Sequence, residues 1–103
     1  MDRVTDKQLQ AIVDRINRVM GTPMEPYARA SEAEQWAAQI GNYHLSGAYG
    51  GKSLHRMVSD GGGISDVFGC GHVSKRELAD RMYAFLRGVE LARESNEQQR
   101  EAA

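Results

Sequence analysis

The sequence predicts a single small α+β domain with a helix, an antiparallel β-hairpin or three-stranded sheet, and a second helix. Two amphipathic segments, each opened by a capping box, predict the helices. A pair of glycines between two alternating segments predicts the hairpin. The length of 103 residues suits one domain with a small core, so we expect the order α-β-β(-β)-α.

The first helix is predicted to run from about residue 6 to residue 20. Thr5 and Gln8 have the spacing of a capping box. Apolar residues then recur at helical intervals: Leu9, Ile12, Val13, Ile16, Val19 and Met20. Gly21 stands where a left-handed C-cap belongs and Pro23 follows it, so we expect the helix to end before Gly21.

The segment from residue 22 to residue 40 allows two interpretations. Pro23 and Pro26 favour an extended run. The alternating residues that suit a first strand are Trp36, Ala38 and Ile40. Ser31 and Glu34 could instead cap a short helix. We prefer a loop followed by a strand.

Residues 41–58 are typical of a β-hairpin that turns at Gly50-Gly51. Such a turn pairs Tyr49 with Lys52. The face expected to pack on the helices then contains Tyr43, Leu45, Leu54 and Val58. The other face is polar and open, with two histidines diagonal to each other at roughly 7–8 Å; it contains His44, Ser46, Ser53, His55 and Met57.

The C-terminal part of the domain begins with a glycine turn. Residues 61–63 are all glycine, and residues 64–68 could form a short third strand. Ser74 and Glu77 form a second capping box. The apolar residues of the helix that follows are Leu78, Met82, Phe85, Leu86 and Val89. We expect residues 1–93 to form the domain and residues 94–103 a polar helical extension or a frayed tail.

Composition and charge limit the function classes. Thirteen basic and fourteen acidic residues give a net charge of −1, so no overall field attracts nucleic acid or an anionic membrane. Cys70 is the single cysteine, which excludes an intramolecular disulfide and fits a reducing compartment. Met1 leads into a charged segment, and no apolar run is long enough for a membrane span. We therefore expect a cytoplasmic protein without a signal peptide or an anchor.

Two motifs that could carry enzyme or metal chemistry are incomplete. Residues 47–53 resemble a P-loop, but they are one residue short and lie in a hairpin, where glycine serves the turn. The possible zinc ligands match no established spacing: His44, His55, Cys70 and His72. Cys70 and His72 are thus weak metal candidates, and we expect no cofactor. Because no base accompanies Cys70 as a nucleophile, we expect a binding protein rather than an enzyme.

The start of the second helix is the strongest ligand-binding candidate in the sequence. Its free N–H groups favour an anion, and Lys75 and Arg76 stand beside them, so a phosphate would fit. Alternatively, Glu77 already complements the positive end of the helix dipole, and Lys75 and Arg76 are solvated side chains that bind no ligand. With the polar hairpin face, the predicted ligand-binding residues are His44, Ser46, His55, Gly71, Ser74, Lys75 and Arg76.

The order of elements is similar to that of a double-stranded-RNA-binding domain. The segment at residues 69–77, Gly-Cys-Gly-His-Val-Ser-Lys-Arg-Glu, is also similar to the segment that opens the last helix in that family. In that family a glycine turn and a Ser-Lys-Lys helix start hold phosphates, and the first helix contacts the minor groove. The resemblance implies Lys75 and Arg76 as phosphate contacts and His44 as a strand-loop contact. This chain has Leu-Ala-Asp at residues 78–80, where the family has a basic continuation.

Two segments resemble small uncharacterised accessory proteins of tailed bacteriophages and prophages: residues 40–51 (Ile-Gly-Asn-Tyr-His-Leu-Ser-Gly-Ala-Tyr-Gly-Gly) and residues 73–78 (Val-Ser-Lys-Arg-Glu-Leu). The resemblance implies a protein of the host cytoplasm that binds a host or phage macromolecule, for example to inhibit a defence system. We expect a protein partner, with nucleic acid or a phosphorylated ligand such as a nucleotide as the alternative. A small core and open sheet edges also favour a homodimer or a higher oligomer.

Overall fold

The computed structural model describes residues 3–29 and 36–102, with side chains up to residue 100. Within these residues it has two helices, a two-stranded sheet and a three-stranded sheet. The elements in chain order are α1 (Asp6–Met20), β1 (Tyr27–Arg29), β2 (Trp36–Ala38), β3 (Tyr43–Ala48), β4 (Gly51–Met57), β5 (Ile64–Asp66) and α2 (Lys75–Ala102). The predicted α+β class and its order of elements are confirmed. The alternative cap at Ser31 and Glu34 lies outside the described residues.

The caps of α1 set both of its ends. The Gln8 N–H donates to the Thr5 hydroxyl and the Thr5 N–H donates to the Gln8 side chain, so the capping box is complete. Gly21 ends the helix in the left-handed conformation, with φ of 70°. The buried face contains Leu9, Ile12, Val13, Ile16 and Asn17.

The core lies between the helices and one face of the β3-β4-β5 sheet. It is formed by residues from both helices and the two long strands, including Leu9, Val13, Ile16, Tyr43, Leu54, Leu78, Met82 and Leu86. α1 packs on β3, and α2 packs on β4. The helices run side by side in the same direction, because Lys75 reaches Asp6 and Glu90 reaches Arg15. Their N-termini therefore lie at the same end of the molecule.

The β3-β4 hairpin turns at Tyr49-Gly50, which corrects the predicted turn. Ala48 pairs with Gly51, so the register differs by two residues from the one that pairs Tyr49 with Lys52. Tyr49 and Gly50 have φ of 53° and 74°, both in the left-handed region that a two-residue hairpin turn favours. A Cβ on Gly51 would stand 2.9 Å from the Val73 carbonyl oxygen. Gly51 thus allows close approach of another segment instead of forming the turn.

The shift in register has limited consequences for the two faces. Because the shift is even, each residue of β3 and β4 keeps its predicted face. His44 now lies directly opposite His55, so the predicted diagonal arrangement is wrong. Val58 lies beyond the end of β4 and is exposed, so its predicted place on the packed face is also wrong. Met57 and Ser53 are fully buried, and the polar face is therefore only partly open.

The two-stranded sheet lies before β3 and was predicted in part. The extended interpretation is correct for β2, whereas β1 was assigned to the loop. β1 and β2 are antiparallel, with Tyr27 opposite Ala38 and Arg29 opposite Trp36. Each strand has three residues, too few for an alternation to be recognised.

α2 begins at the predicted cap and continues to Ala102. The Ser74 hydroxyl accepts from the Glu77 N–H at 3.1 Å, and the Ser74 carbonyl accepts from the Leu78 N–H. All side chains from residue 91 to residue 100 are exposed. No helix in residues 3–29 and 36–102 is long and apolar enough to cross a membrane.

Candidate functional site

The polar face of the β3-β4 hairpin carries a row of aromatic rings. His44 and His55 face each other with ring centroids 6.0 Å apart. His72, from the loop before α2, lies 6.0 Å from His55, and the Tyr49 ring lies 6.3 Å from His72. Each neighbouring pair meets edge to face. This four-ring group, here called the histidine row, joins two predicted site residues to one that was considered only as a metal ligand.

Hydrogen bonds position two rings of the histidine row, His44 and His72. The buried Asn42 donates its side-chain N–H to the Pro23 carbonyl, so its Oδ1 faces His44 Nδ1 at 3.1 Å. In the neutral ring His44 Nδ1 therefore carries the hydrogen. Further along the row, Ser46 Oγ lies 3.1 Å from His72 Nε2. The predicted residue Ser46 thus positions His72.

Burial and mutual proximity keep two of these histidines neutral. Burial lowers the pKa of His44, and the neighbouring His55 lowers it further. Burial likewise lowers the pKa of His55; Asp66 opposes this effect and His72 adds to it. At neutral pH, His44 and His55 therefore offer hydrogen-bonding groups and ring surfaces without a full positive charge.

The glycine turn before α2 forms an anion cradle that holds the chain's own carboxylate. Asp66 accepts hydrogen bonds from the Gly71 N–H at 2.8 Å, the Gly69 N–H at 3.1 Å and the Ser53 hydroxyl at 3.3 Å. Both glycines have positive φ, a conformation that aims successive N–H groups at one anion. Burial would raise the pKa of Asp66, but these hydrogen bonds hold it below its ordinary value. The N–H of Gly71, a predicted ligand contact, is thus already used.

The predicted residues at the start of α2 belong to the helix layer. Lys75 Nζ lies 3.2 Å from Asp6 Oδ1, and Lys52 Nζ lies 3.5 Å from the same oxygen. The hydrogen bond from Lys75 is the main reason that the pKa of Asp6 is lowered. Arg76 lines a groove between the helices, and Ser74 caps α2. The predicted site residues therefore divide among the histidine row with its neighbour Ser46, the glycine turn with Gly71, and this helical end.

Cys70 and His72, the weak metal candidates, make other contacts. Cys70 is a free, half-buried thiol whose Sγ lies 3.5 Å from the Gly71 carbonyl oxygen. His72 contacts Ser46. In the described part of the chain, no three His, Cys, Asp or Glu side chains are grouped to hold a metal ion.

The β1-β2 sheet presents an exposed aromatic surface that sequence reasoning missed. Trp36 is 64% exposed and Tyr27 is 44% exposed. They share one face with Arg29, because Arg29 pairs with Trp36 and Tyr27 lies two residues away along β1. The Arg29 guanidinium lies 5.8 Å from the Trp36 ring centre, a cation–π distance. The indication available in the sequence was one aromatic residue, Trp36, in the predicted first strand.

This surface continues onto the loop that joins β4 to β5. The Tyr27 hydroxyl lies 2.8 Å from the position that a Cβ on Gly62 would occupy, so a larger residue there would displace the tyrosine. We use the name hairpin surface for the exposed residues of these two strands and of the segments next to them: Met24, Tyr27, Arg29, Trp36, Ile40, Val58 and Ile64. Its apolar side chains are each at least two fifths exposed. Among the described elements, β1 and β2 pack closely only against each other.

Comparisons with known proteins found no matching family model, no matching curated protein and no matching solved structure.

Proposed function

We propose that this protein acts by binding another protein through the hairpin surface, without catalysing a reaction. The exposure of Trp36 carries the proposal. An aromatic side chain buries roughly 150–250 Å² in a packed site. At 64% exposure, covering Trp36 removes roughly 100–150 Å² from water and contributes about 2–4 kcal/mol. That is the contribution expected of an interface hot spot.

The residue types around Trp36 support a protein partner. Tyr, Trp, Met and Arg are enriched in protein interfaces relative to the rest of the surface. The hairpin surface contains Met24, Tyr27 and Arg29 beside Trp36. The Arg29 guanidinium lies 5.8 Å from the Trp36 ring centre, so this arginine belongs to the same aromatic surface.

The weak attachment of the β1-β2 sheet also favours a binding role. A two-stranded sheet alone is only marginally stable in water. In the described residues, the Asn42 bond to Pro23 and the position of Tyr27 beside Gly62 link this sheet to the rest of the domain, whereas the Gln39 bonds to Pro26 and Glu25 join the two strands to each other. A partner that covers it would stabilise it. The resemblance to phage accessory proteins favours a host or phage protein of the host cytoplasm as that partner.

The test is capture from bacterial host lysate on the immobilised full chain, with a matched pair of variants. Trp36→Ser removes the central side chain, and Leu91→Ser removes a 47% exposed side chain on the far part of α2. We expect wild type and Leu91→Ser to retain the same specific protein and Trp36→Ser to lose it. Equal capture by a folded Trp36→Ser variant would contradict the proposal.

A second candidate function, binding of nucleic acid or a phosphorylated ligand, is favoured by the basic end of the molecule. Both helix N-termini lie there with Lys52, Lys75 and Arg76, although Asp6 neutralises part of this charge. In a titration with duplex RNA, Lys75→Ala/Arg76→Ala should abolish binding. Any residual binding should show a salt slope reduced by about one for each phosphate that the variant no longer neutralises. Unchanged affinity in this double variant would exclude this site.

Self-association is a separate proposal. β3 is an edge strand of the three-stranded sheet, and its sequence has no proline or lysine that would hinder pairing with another strand. We propose a homodimer or higher oligomer on this basis. Light scattering should give at least twice the monomer mass of 11.4 kDa, and a monomer at micromolar concentration would contradict it.

A further inference from the structure

The outer edge of β3 carries backbone groups that the sheet does not use. Ala48 and Gly51 flank the two-residue turn, so they exchange hydrogen bonds, as does every second pair beyond them. The peptide groups of Leu45 and Gly47 therefore point away from β4. In the described part of the chain, no residue forms a hydrogen bond with these two N–H and two carbonyl groups. The outer edge thus has four open hydrogen-bonding groups.

Asn17 closes this edge at the first residue of β3. Its side-chain N–H donates to the Tyr43 carbonyl at 2.9 Å, and its Oδ1 accepts from the Tyr43 N–H at 2.9 Å. Both groups of Tyr43 therefore point away from β4, as the alternation along β3 requires. At the opposite edge of the sheet, β5 has three residues, and the Asp66 carbonyl accepts from the Gly69 N–H. The open stretch of the sheet edge is thus the part of β3 between Asn17 and the hairpin turn.

A second copy of β3 that runs antiparallel to the first satisfies all four open groups. Leu45 then pairs with Gly47 of the second copy, and Gly47 pairs with Leu45 of the second copy. Each pair exchanges two hydrogen bonds, and the twofold axis passes between the two Ser46 residues. If Leu45 paired with its own copy instead, Gly47 would lie opposite Tyr43, whose groups Asn17 already binds. The edge therefore favours one register with a second copy of itself.

The side chains along β3 are compatible with this register. The opposed pairs are His44 with Ala48, Leu45 with Gly47, and Ser46 with Ser46, so no two large side chains face each other. β3 contains no Asp, Glu, Lys or Arg, so the like-charge repulsion that opposes strand pairing is absent. Gly47 is exposed and its four neighbours in this register are half-buried, so the edge is accessible.

We propose that two copies of the chain pair along β3 and join their histidine rows into one site around the twofold axis, here called the joint site. Residues opposite each other in a sheet point to the same side, so the two polar faces become one. Ser46 lies at the axis, and His72 Nε2 lies 3.1 Å from its hydroxyl, so the two rows meet there. Each copy contributes half of the rings. The inference rests on the proposed self-association and specifies its register and the site that it assembles.

Disulfide cross-linking tests the register. Opposed residues of a non-hydrogen-bonded antiparallel pair have Cα atoms about 4.5 Å apart, within the range of a disulfide. In a Cys70→Ser background, which removes the single native thiol, we expect Ser46→Cys to form a covalent dimer in mild oxidant. The control Ala48→Cys lies on the same face, but its two copies are roughly 13 Å apart along the strands, so it should cross-link at least tenfold more slowly. Equal rates, or a faster reaction of Ala48→Cys, would overturn the proposal.

A second pair of variants tests the strand pairing without a new thiol. Gly47→Pro removes an open N–H and none that β4 uses, a position where a strand tolerates proline. We expect it to be a monomer at micromolar concentration. The control Gly47→Ala keeps the N–H and should remain a dimer, because the nearest atom to its Cβ is the mobile Lys52 Nζ at 3.2 Å. Circular dichroism checks the fold of both, and a folded Gly47→Pro that is still dimeric would overturn the proposal.

Light scattering of wild type separates this proposal from the proposed self-association. A monomeric wild type contradicts both. If wild type is a dimer but Ser46→Cys cross-links no faster than Ala48→Cys and Gly47→Pro stays dimeric, the self-association stands and the joint site is wrong. A dimeric wild type, with rapid cross-linking of Ser46→Cys and a monomeric Gly47→Pro, supports the joint site.

Discussion

Replacement of Asp66 by alanine tests the interpretation of the glycine turn as an internal anion cradle. The carboxylate accepts three hydrogen bonds, from Gly71, Gly69 and Ser53. A hydrogen bond contributes about 0.5–1.5 kcal/mol net, and Asp66 is half-buried, so water can satisfy part of what is lost. We expect Asp66→Ala to lower the free energy of unfolding by about 2 kcal/mol.

The measurement is urea denaturation of wild type, Asp66→Ala and Asp66→Asn. Asp66→Asn keeps one accepting oxygen and should lose less stability than Asp66→Ala. Because the cradle is emptied in Asp66→Ala, added phosphate should restore part of the stability of that variant and have no such effect on wild type. A loss below about 0.5 kcal/mol, or equal phosphate effects on both proteins, would refute the cradle.

Three other predictions concern stability. The pKa values of His44 and His55 lie below 6.5 in the folded protein, so on acidification the unfolded chain binds protons first. The free energy of unfolding should therefore fall as the pH drops below 6.5, and this fall should be smaller in His55→Gln. Two protonated rings 6.0 Å apart, as those of His44 and His55 would be, repel each other by about 0.7–3 kcal/mol. A free energy of unfolding that does not change with pH in this range would contradict the prediction. Asn17→Leu leaves the buried N–H and carbonyl of the first β3 residue unpaired, and should lower the free energy of unfolding by about 3 kcal/mol in urea denaturation. Gly51→Ala would push away the backbone at Val73 and should lower the melting temperature by several degrees. The control Gly61→Ala, where a Cβ meets no other atom, should not lower it.

The helices could be predicted because their signals are local. Thr5, Gln8 and Gly21 act within one turn of the helix that they cap, and the structure shows all three in that role. The faces of the hairpin were predictable for a similar reason, since alternation survives any even shift in register. The turn itself was misplaced because Gly51 serves a distant contact with Val73, which local turn chemistry does not reveal.

The candidate sites were less predictable because they depend on contacts between distant parts of the chain. His72 joins His55 across seventeen residues, and Asp66 fills the cradle that its glycines would otherwise offer to a ligand. The hairpin surface depends on which side of a short sheet is left uncovered. The identity of Trp36 was visible in the sequence, but its exposure follows from packing alone.

The most direct test of the central claim uses the single tryptophan of the chain. Incorporation of 5-fluorotryptophan places one fluorine at Trp36, so the ¹⁹F NMR spectrum contains one signal. When the protein captured from host lysate is added, we predict that this signal shifts and loses its solvent-isotope effect as Trp36 is buried. An unchanged signal, under conditions in which the two proteins elute as one complex, would show that the partner binds elsewhere and would contradict the hairpin surface as the binding site.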